Sequence, residues 1–287
     1  MTSTAIAITA PGVYDIDAEA YHADPVPGGS LSSSGARKLM PPGCPALFQY
    51  ERDHPPAPKR EFDLGHAAHL MVLGIGPKLV VLEHDDYRTK DAQDERDEAH
   101  AAGAVPLLRW EYAKVKEMAA ALRKHPLASA LLQPGQGAAE KTLVWRDQET
   151  GVWRRARPDW LPHPRTGRLI VPDYKTTSQP DPRSALRAIF RYGYHQQGAW
   201  YLDGLRALGL ADERAAFALI FQGVKPPYLV HVQQLDADSE RLGRIRNRRA
   251  LEIYAECVAT GTWPGYGDDA TITRPPAWVE TQLYEEI

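Results

Sequence analysis

Two short runs hold the side chains best suited to chemistry, Arg157-Pro158-Asp159 and Asp173-Tyr174-Lys175. Both read as β-strand. Strand alternation puts Asp173 and Lys175 on one face, about 6 to 7 Å apart, so an acid and a lysine are aimed at one place. If the first run, 152–161, pairs as a hairpin neighbour with 168–177, Asp159 joins them and completes a site for a hard divalent cation. Such a site hydrolyses phosphodiesters. A cross-strand carboxylate–lysine pair at a sheet edge accounts for these few residues equally well.

Phosphodiester hydrolysis needs a cation to activate water and to neutralise charge developing on phosphate. Carboxylate oxygens suit magnesium or manganese, and Asp159 and Asp173 supply them. Lys175 could stabilise the transition state or orient water; as a general base it would need a lowered pKa. Gln197 and Tyr201, four apart on a predicted helix, share a face. They could bind phosphate or brace the lysine, or simply belong to a packed aromatic helix with Tyr194 and Trp200. Arg154, Arg155 and Arg157 interleave with Trp153 beside Asp159, which suits phosphate contacts. Arg241, Arg244 and Arg248 read as a solvated helix face.

His66 and His69 lie three apart on an apolar helix. A histidine there is usually a hydrogen-bonded core or surface residue, and a zinc pair would need a third ligand that no spacing supplies. Glu140 opens a strand, either near the metal edge or as a solvated strand-end carboxylate.

The elements that must position these groups follow from pattern. Residues 13–16 read as a short strand in a wrapping arm that runs to Gly29. Ser30 is a candidate N-cap for a helix through Met40, stopped by Pro41, Pro42 and Gly43. Pro55, Pro56 and Pro58 mark a loop, 63–73 an apolar helix, 85–98 an acidic solvated segment and 107–124 a periodic helix. From Glu140 the period becomes two, and strands at 140–146, 152–161 and 168–177 predict a three-strand meander. Helices at 182–190 and 194–208, strands at 215–224 and 228–235 and a helix at 238–259 complete the order, with no internal repeat. This is an α+β or α/β domain with a helical amino-terminal elaboration.

Composition sets outer limits. The 287 residues suffice for a full core, and 43% hydrophobic with 25% charged residues describes a globular chain. A net charge of −3 argues against a uniformly basic nucleic-acid coat but leaves room for a local basic channel. Two distant cysteines, Cys44 and Cys257, exclude a zinc ribbon or a four-thiolate iron–sulfur cluster and suit a reducing cytoplasm. No apolar run reaches membrane length and residues 1–10 lack signal-peptide character, so a soluble intracellular protein is expected.

Four ordered motifs together carry a resemblance: Leu64-Gly65-His66-Ala67-Ala68-His69 with the apolar 70–73, Arg157-Pro158-Asp159, Asp173-Tyr174-Lys175-Thr176-Thr177, and Tyr194-His195-Gln196-Gln197-Gly198-Ala199-Trp200-Tyr201. They resemble the PD-(D/E)XK nuclease superfamily, with the nearest likeness to the RecE-like (exodeoxyribonuclease VIII) exonucleases of phages and prophages. The segment 21–37, with its Ser-Leu-Ser-Ser-Ser, and Trp263 to Tyr266 extend the likeness to about residues 14–266. It implies a restriction-endonuclease-like α+β fold, a small mixed central sheet flanked by helices. It also implies an arm at 1–29, a nuclease domain at 30–267 (helical part 30–135, catalytic core 136–267) and an acidic tail at 268–287.

The same resemblance implies that His69, Asp159 and Asp173 bind the metal with the Tyr174 carbonyl, and Glu140 as a further candidate. Lys175 becomes the catalytic lysine, and Gln197 and Tyr201 match a QxxxY element. The cofactor implied is Mg2+, with Mn2+ substituting. The activity implied is an exonuclease that degrades one strand of linear double-stranded DNA from its ends for recombination. The expected setting is a homo-oligomer in a bacterial or phage-infected cytoplasm, working with a single-strand annealing protein. A catalytically weak DNA-end-binding module and a zinc metallohydrolase are the competing readings. Two positions depart from the pattern: His66 stands where a small or hydroxyl residue is expected, and Pro172 precedes Asp173. Pro172 cannot donate a backbone hydrogen bond, so its side of the strand should lie at an edge.

Overall fold

The computed structural model describes residues 6–54, 63–163, 167–267, 269–270, 272–275, 277 and 279. Pro55, Pro56 and Pro58 and most of the acidic tail lie outside the described residues. In chain order the elements are β1 (Gly12–Tyr14), α1 (Ala18–His22), β2 (Leu31–Ser32), α2 (Ser33–Lys38), α3 (Pro45–Asp53), α4 (Asp63–Leu73) and β3 (Leu79–Leu82). Then come α5 (Lys90–Ala101), β4 (Val105–Leu108), α6 (Arg109–Lys124), α7 (Pro126–Leu131), β5 (Gly137–Ala139), β6 (Thr142–Arg146), β7 (Trp153–Ala156) and β8 (Trp160–Pro162). The last are β9 (Ile170–Thr177), α8 (Pro182–Arg191), α9 (Tyr194–Ala207), β10 (Ala216–Gly223), β11 (Val230–Gln234) and α10 (Ala237–Thr260).

The sheet that carries the second chemical run is β11-β10-β9. β10 is its middle strand, antiparallel to β11 and parallel to β9, and all of its residues are buried. That is why it reads as a continuous apolar run instead of an alternating one. The β9–β10 crossover passes through α8 and α9, the long connection that parallel pairing requires. Among the described residues β9 has β10 as its one ladder partner. N–H groups two residues apart point the same way, and Tyr174 N–H points to Asp159, away from the ladder. The donor that Pro172 lacks therefore falls on the open edge, and the proline costs no ladder bond.

The expected meander is corrected. β6 and β7 do form an antiparallel hairpin, but they belong to a separate sheet, β1-β6-β7-β2. Pro158 interrupts the run: β7 ends at Ala156, and β8 pairs antiparallel with β5. The bend at 157–159 is what delivers Asp159 to the edge of β9. Ser30 is likewise not the N-cap of its helix. Leu31 and Ser32 first pair with β7, and Ser32 Oγ caps α2 by accepting from Gly35 N–H. Residues 107 and 108 belong to β4, so the periodic helix starts at Arg109.

Two cores hold the site from opposite sides. One packs Leu143, Trp145, Trp200, Leu202, Phe217 and Leu251 around α9, which is buried along most of its length. α10 approaches α9 so closely at Gly243 that a Cβ there would stand 2.3 Å from His195 O. The other joins Ala67 and Ala68 of α4 to Met118, Trp160, Tyr174 and Ile220. At the amino terminus Ile8, Ile16, Tyr21 and Val26 pack against Val144.

Candidate active site

α4 presents Ala67 and Ala68 to the core, and the same helix carries His69 to the edge of β9. The His69 ring lies against Tyr174, with centroids 5.0 Å apart. Its Nδ1 meets Gly65 O at 3.0 Å and its Nε2 meets Asp159 Oδ2 at 3.2 Å. Asp159 Oδ2 also accepts from Tyr174 N–H at 2.8 Å, so the open edge of β9 fixes the carboxylate.

Asp173 is fully buried. Its Oδ1 accepts from Gln197 Nε2 at 3.0 Å, and the same amide donates to Tyr201 Oη at 3.0 Å. Tyr201 O–H in turn donates to Arg157 O at 3.2 Å. Lys175 Nζ stands 2.5 Å from Asp173 Oδ2 and 5.1 Å from the centre of the Tyr194 ring. Asp173 Oδ2 is thus held by the Lys175 ammonium in a buried ion pair. Gln197 and Tyr201 thus brace the acid rather than the lysine.

These neighbours drive the two carboxyls apart. Burial pushes Asp173 up, the Asp159 charge adds to this, and the opposing pull of Lys175 leaves it at about 6. Burial acts on Asp159 in the same sense but loses to His69, Lys175 and the Tyr174 N–H, which bring it to about 2. For Lys175 burial opposes the charge, yet Asp173 and Asp159 win and its pKa rises. His69 is raised by Asp159 against its burial. Lys175 is therefore a held cation, and no lowered pKa equips it as a general base.

The donor chemistry fits a hard cation: two carboxylates and an imidazole, all oxygen or imidazole-nitrogen donors, stand along β9, with Asp159 on the Tyr174 N–H and Asp173 buried in the strand itself. Among the described residues, no group of three His, Cys, Asp or Glu side chains is already gathered as a metal cluster. His69 faces Asp159, while Asp173 is turned to Gln197 and Lys175.

A cavity of about 930 Å³ opens beside Asp159, Gln197 and Tyr201. Its far wall includes His22, Ser33, Ser34, Arg37 and His66. His22 and Arg37 have no spacing signal, because the chain reaches the cavity from α1 and α2, far off in sequence. The serines show in the sequence only as a run of hydroxyls.

The three arginines expected to contact phosphate do not face this cavity as free cations. Arg154 is 4% exposed, its guanidinium 4.0 Å from the Trp200 ring centre and between Asp147 and Asp203. Arg155 Nη1 donates to Ser30 O at 2.6 Å and pairs with Asp24. Arg157 donates to Ile16 O and pairs with Glu140 at 2.8 Å. Alternation puts Arg154 on one face, against Trp145 and Trp200, and Arg155 and Arg157 on the other, against Tyr21, so they tie α9 and the amino-terminal segment to the sheet. Glu140 lines the cavity, but its carboxylate is held by Arg157 and not by the His69–Asp159 pair. The expected solvated stripe is also paired: Arg244 with Asp203 and Glu240, Arg248 with Asp147.

The chain belongs to the family described as a PDDEXK-like domain of unknown function (DUF3799), whose profile matches residues 32–276. Its fold is that of the PD-(D/E)XK nuclease superfamily. A solved structure from Eubacterium rectale, described as a "putative exonuclease", aligns over 93% of this chain and 98% of its own, with a TM-score of 0.60 and 11% identity. At that identity the likeness is one of fold. An alkaline exonuclease from Laribacter hongkongensis covers 71% of this chain and 97% of its own at 13% identity, with a TM-score of 0.27, too low to bear on the fold. No curated protein matches the chain.

Proposed function

We propose that this protein is a metal-dependent DNA exonuclease of RecE-like type, hydrolysing phosphodiester bonds of one strand of linear double-stranded DNA from a free end. The observation that carries this is the meeting of Asp159, Asp173 and Lys175 at the edge of β9, braced by Gln197 and Tyr201 from α9. His69, Asp159, Asp173 and the Tyr174 carbonyl would hold Mg2+ or Mn2+, which when bound supplies Lewis acidity toward phosphate and an activated water. Lys175, held charged, donates to an oxygen of the scissile phosphate and offsets the charge that builds there. Gln197 fixes the Asp173 carboxylate through Oδ1, which leaves Oδ2 on the side of Lys175. The cavity beside Asp159 receives the strand.

Nuclease folds act on nucleic acid, so DNA is the partner this reading requires. A closed homo-oligomer would let a chain of net charge −3 hold DNA by threading instead of attraction. Arg154 and Arg155 cannot line such a channel, because both are engaged inside the protomer. A bacterial or phage-infected cytoplasm and a single-strand annealing partner belong to the same reading. The described residues contain no helix long and apolar enough to cross a membrane.

The test is release of acid-soluble nucleotides from linear and from covalently closed circular DNA, with and without Mg2+, alongside light scattering of the free protein. The expected result is Mg2+-dependent release from linear DNA alone, by an oligomer. Cutting of closed circles by a monomer would overturn the end-dependent reading, and no release under any divalent cation would favour an end-binding module.

A further inference from the structure

α8 turns Ala185 and Ile189 inward, against α9 and β11, and leaves Leu186, Phe190 and the following Tyr192 about half exposed. Interleaved with them, also exposed, are Arg183, Arg187 and Arg191. Their four-residue spacing sets successive guanidinium bases about 6 Å apart along the helix axis. Among the described residues no carboxylate pairs with any of the three. The one acid next to them, Asp181, is occupied as the N-cap, accepting from the N–H groups of Arg183 and Ser184. This sets α8 apart from α10, whose Arg244 and Arg248 are both paired with acids.

The exposed rings also lead somewhere. The Arg191 guanidinium lies 5.7 Å from the Tyr192 ring centre, Tyr192 lies 5.8 Å from Tyr194, and Lys175 Nζ stands 5.1 Å over Tyr194. Arg37, on the cavity wall, donates to Tyr192 O at 3.0 Å. A line of basic and aromatic side chains thus runs from the outer end of α8 to the catalytic lysine.

We propose that this face of α8 is a platform for single-stranded nucleic acid, resting on the phosphodiesterase reading of the site it adjoins. Phosphates lie against Arg183, Arg187 and Arg191, and bases stack on Phe190 and Tyr192. A duplex keeps its base faces stacked inside, so it would use the arginines and leave the rings idle. A protein partner seated on Leu186 and Phe190 would have to supply three carboxylates. Only an unpaired strand satisfies both the rings and the cations with one repeating chemistry.

Binding is measured without catalysis, by anisotropy of a fluorescein-labelled oligothymidylate in EDTA. Two variants are compared with wild type, Phe190→Ala/Tyr192→Ala and Arg187→Ala/Arg191→Ala. The aromatic variant should weaken binding by roughly tenfold or more, since each stacked base counts for about a factor of ten. The arginine variant should lower the slope of log affinity on log salt by about 1.4, the counterion yield of two single-strand phosphate contacts. Hydrolysis of bis(p-nitrophenyl) phosphate, too small to reach α8, should be unchanged in both. That ester and linear DNA report separately on the nuclease reading, so its failure leaves the EDTA result standing. Wild-type binding by both variants would overturn the platform. So would an aromatic-variant loss as large for closed duplex as for the oligonucleotide, or a loss that tracks a change in oligomeric state. If the aromatic variant does not fold, Arg187→Glu, on the exposed face, decides the question by the same salt slope.

Discussion

Gln197 Nε2 lies 3.0 Å from both Asp173 Oδ1 and Tyr201 Oη, so one amide group uses its two protons to tie a buried acid on β9 to a phenol one turn along α9. The amide cannot be replaced by an apolar side chain without leaving Asp173 short of its neutral donor. We predict that Gln197→Ala lowers nucleotide release by roughly tenfold to a hundredfold, the loss expected when one preorganised donor is removed from a site. Circular dichroism should remain that of the folded protein. Full activity in Gln197→Ala would show that the bridge only packs α9.

Asp173→Asn and Lys175→Ala are each expected to abolish cleavage, a loss of about a hundredfold or more for a metal ligand or a transition-state cation. Near-wild-type release by either folded variant would dismiss the assignment.

Asp173 also carries a stability signature. Its folded pKa is raised to about 6 by burial and by Asp159, so its contribution is present below the unfolded value and lost as pH climbs through 6. The ionised, buried carboxylate therefore strains the metal-free fold at alkaline pH. Urea unfolding in EDTA should find Asp173→Asn at least as stable as wild type at pH 8, with the relative gain shrinking toward pH 4. A variant much less stable at pH 8 would mean that the Lys175 contact outweighs the burial.

His69→Ala should weaken Mn2+ binding in calorimetric titration, because Nε2 is one of the groups facing Asp159, whereas His66→Ala should change it far less. Equal losses would instead make the two histidines a pair, and zinc copurifying at about one per chain would strengthen that case.

Much of this site could be read from the chain because its residues are local to their motifs. Strand alternation alone put Asp173 and Lys175 on one face, and helical spacing alone put Gln197 and Tyr201 on another. The helix carrying His69 has the bounds its apolar pattern gives, Asp63–Leu73. What failed was pairing. The run 152–161 carries apolar side chains on both sides of Pro158, Val152, Trp153 and Ala156 before it and Trp160 and Leu161 after, and nothing local says that its halves join different sheets. The pairing of Arg154, Arg155 and Arg157 was hidden for a related reason, even though Arg157 does line the cavity: the acids and carbonyls that engage them, Asp203, Asp24 and Ile16, are distant in sequence. A cation whose partner is remote looks the same, in sequence, as one that is free.

That buried partnership gives the last prediction. Arg154 is held at about 10 by burial, against the upward pull of Asp203 and Asp147, and stacks on Trp200. Asp147 also accepts from Arg248 and from Thr150, and its pKa lies below the ordinary carboxylate range because these donors outweigh its burial. Asp147→Asn removes one of two acids from a buried guanidinium, and Asp203 remains. The expected cost at pH 7 is about 3 kcal/mol, the lower end for breaking a buried ion pair. The sign with pH follows from the depressed value: the stabilisation is present above the unfolded pKa of about 3.9 and is lost as pH falls through the lower folded one. Urea unfolding of wild type and Asp147→Asn should thus differ fully at pH 7 and draw together as pH falls through the folded value of Asp147. Because the network lies away from Lys175, the variant's nucleotide release at low temperature should match wild type; a difference in stability that persists undiminished in acid would assign the loss to packing instead of charge.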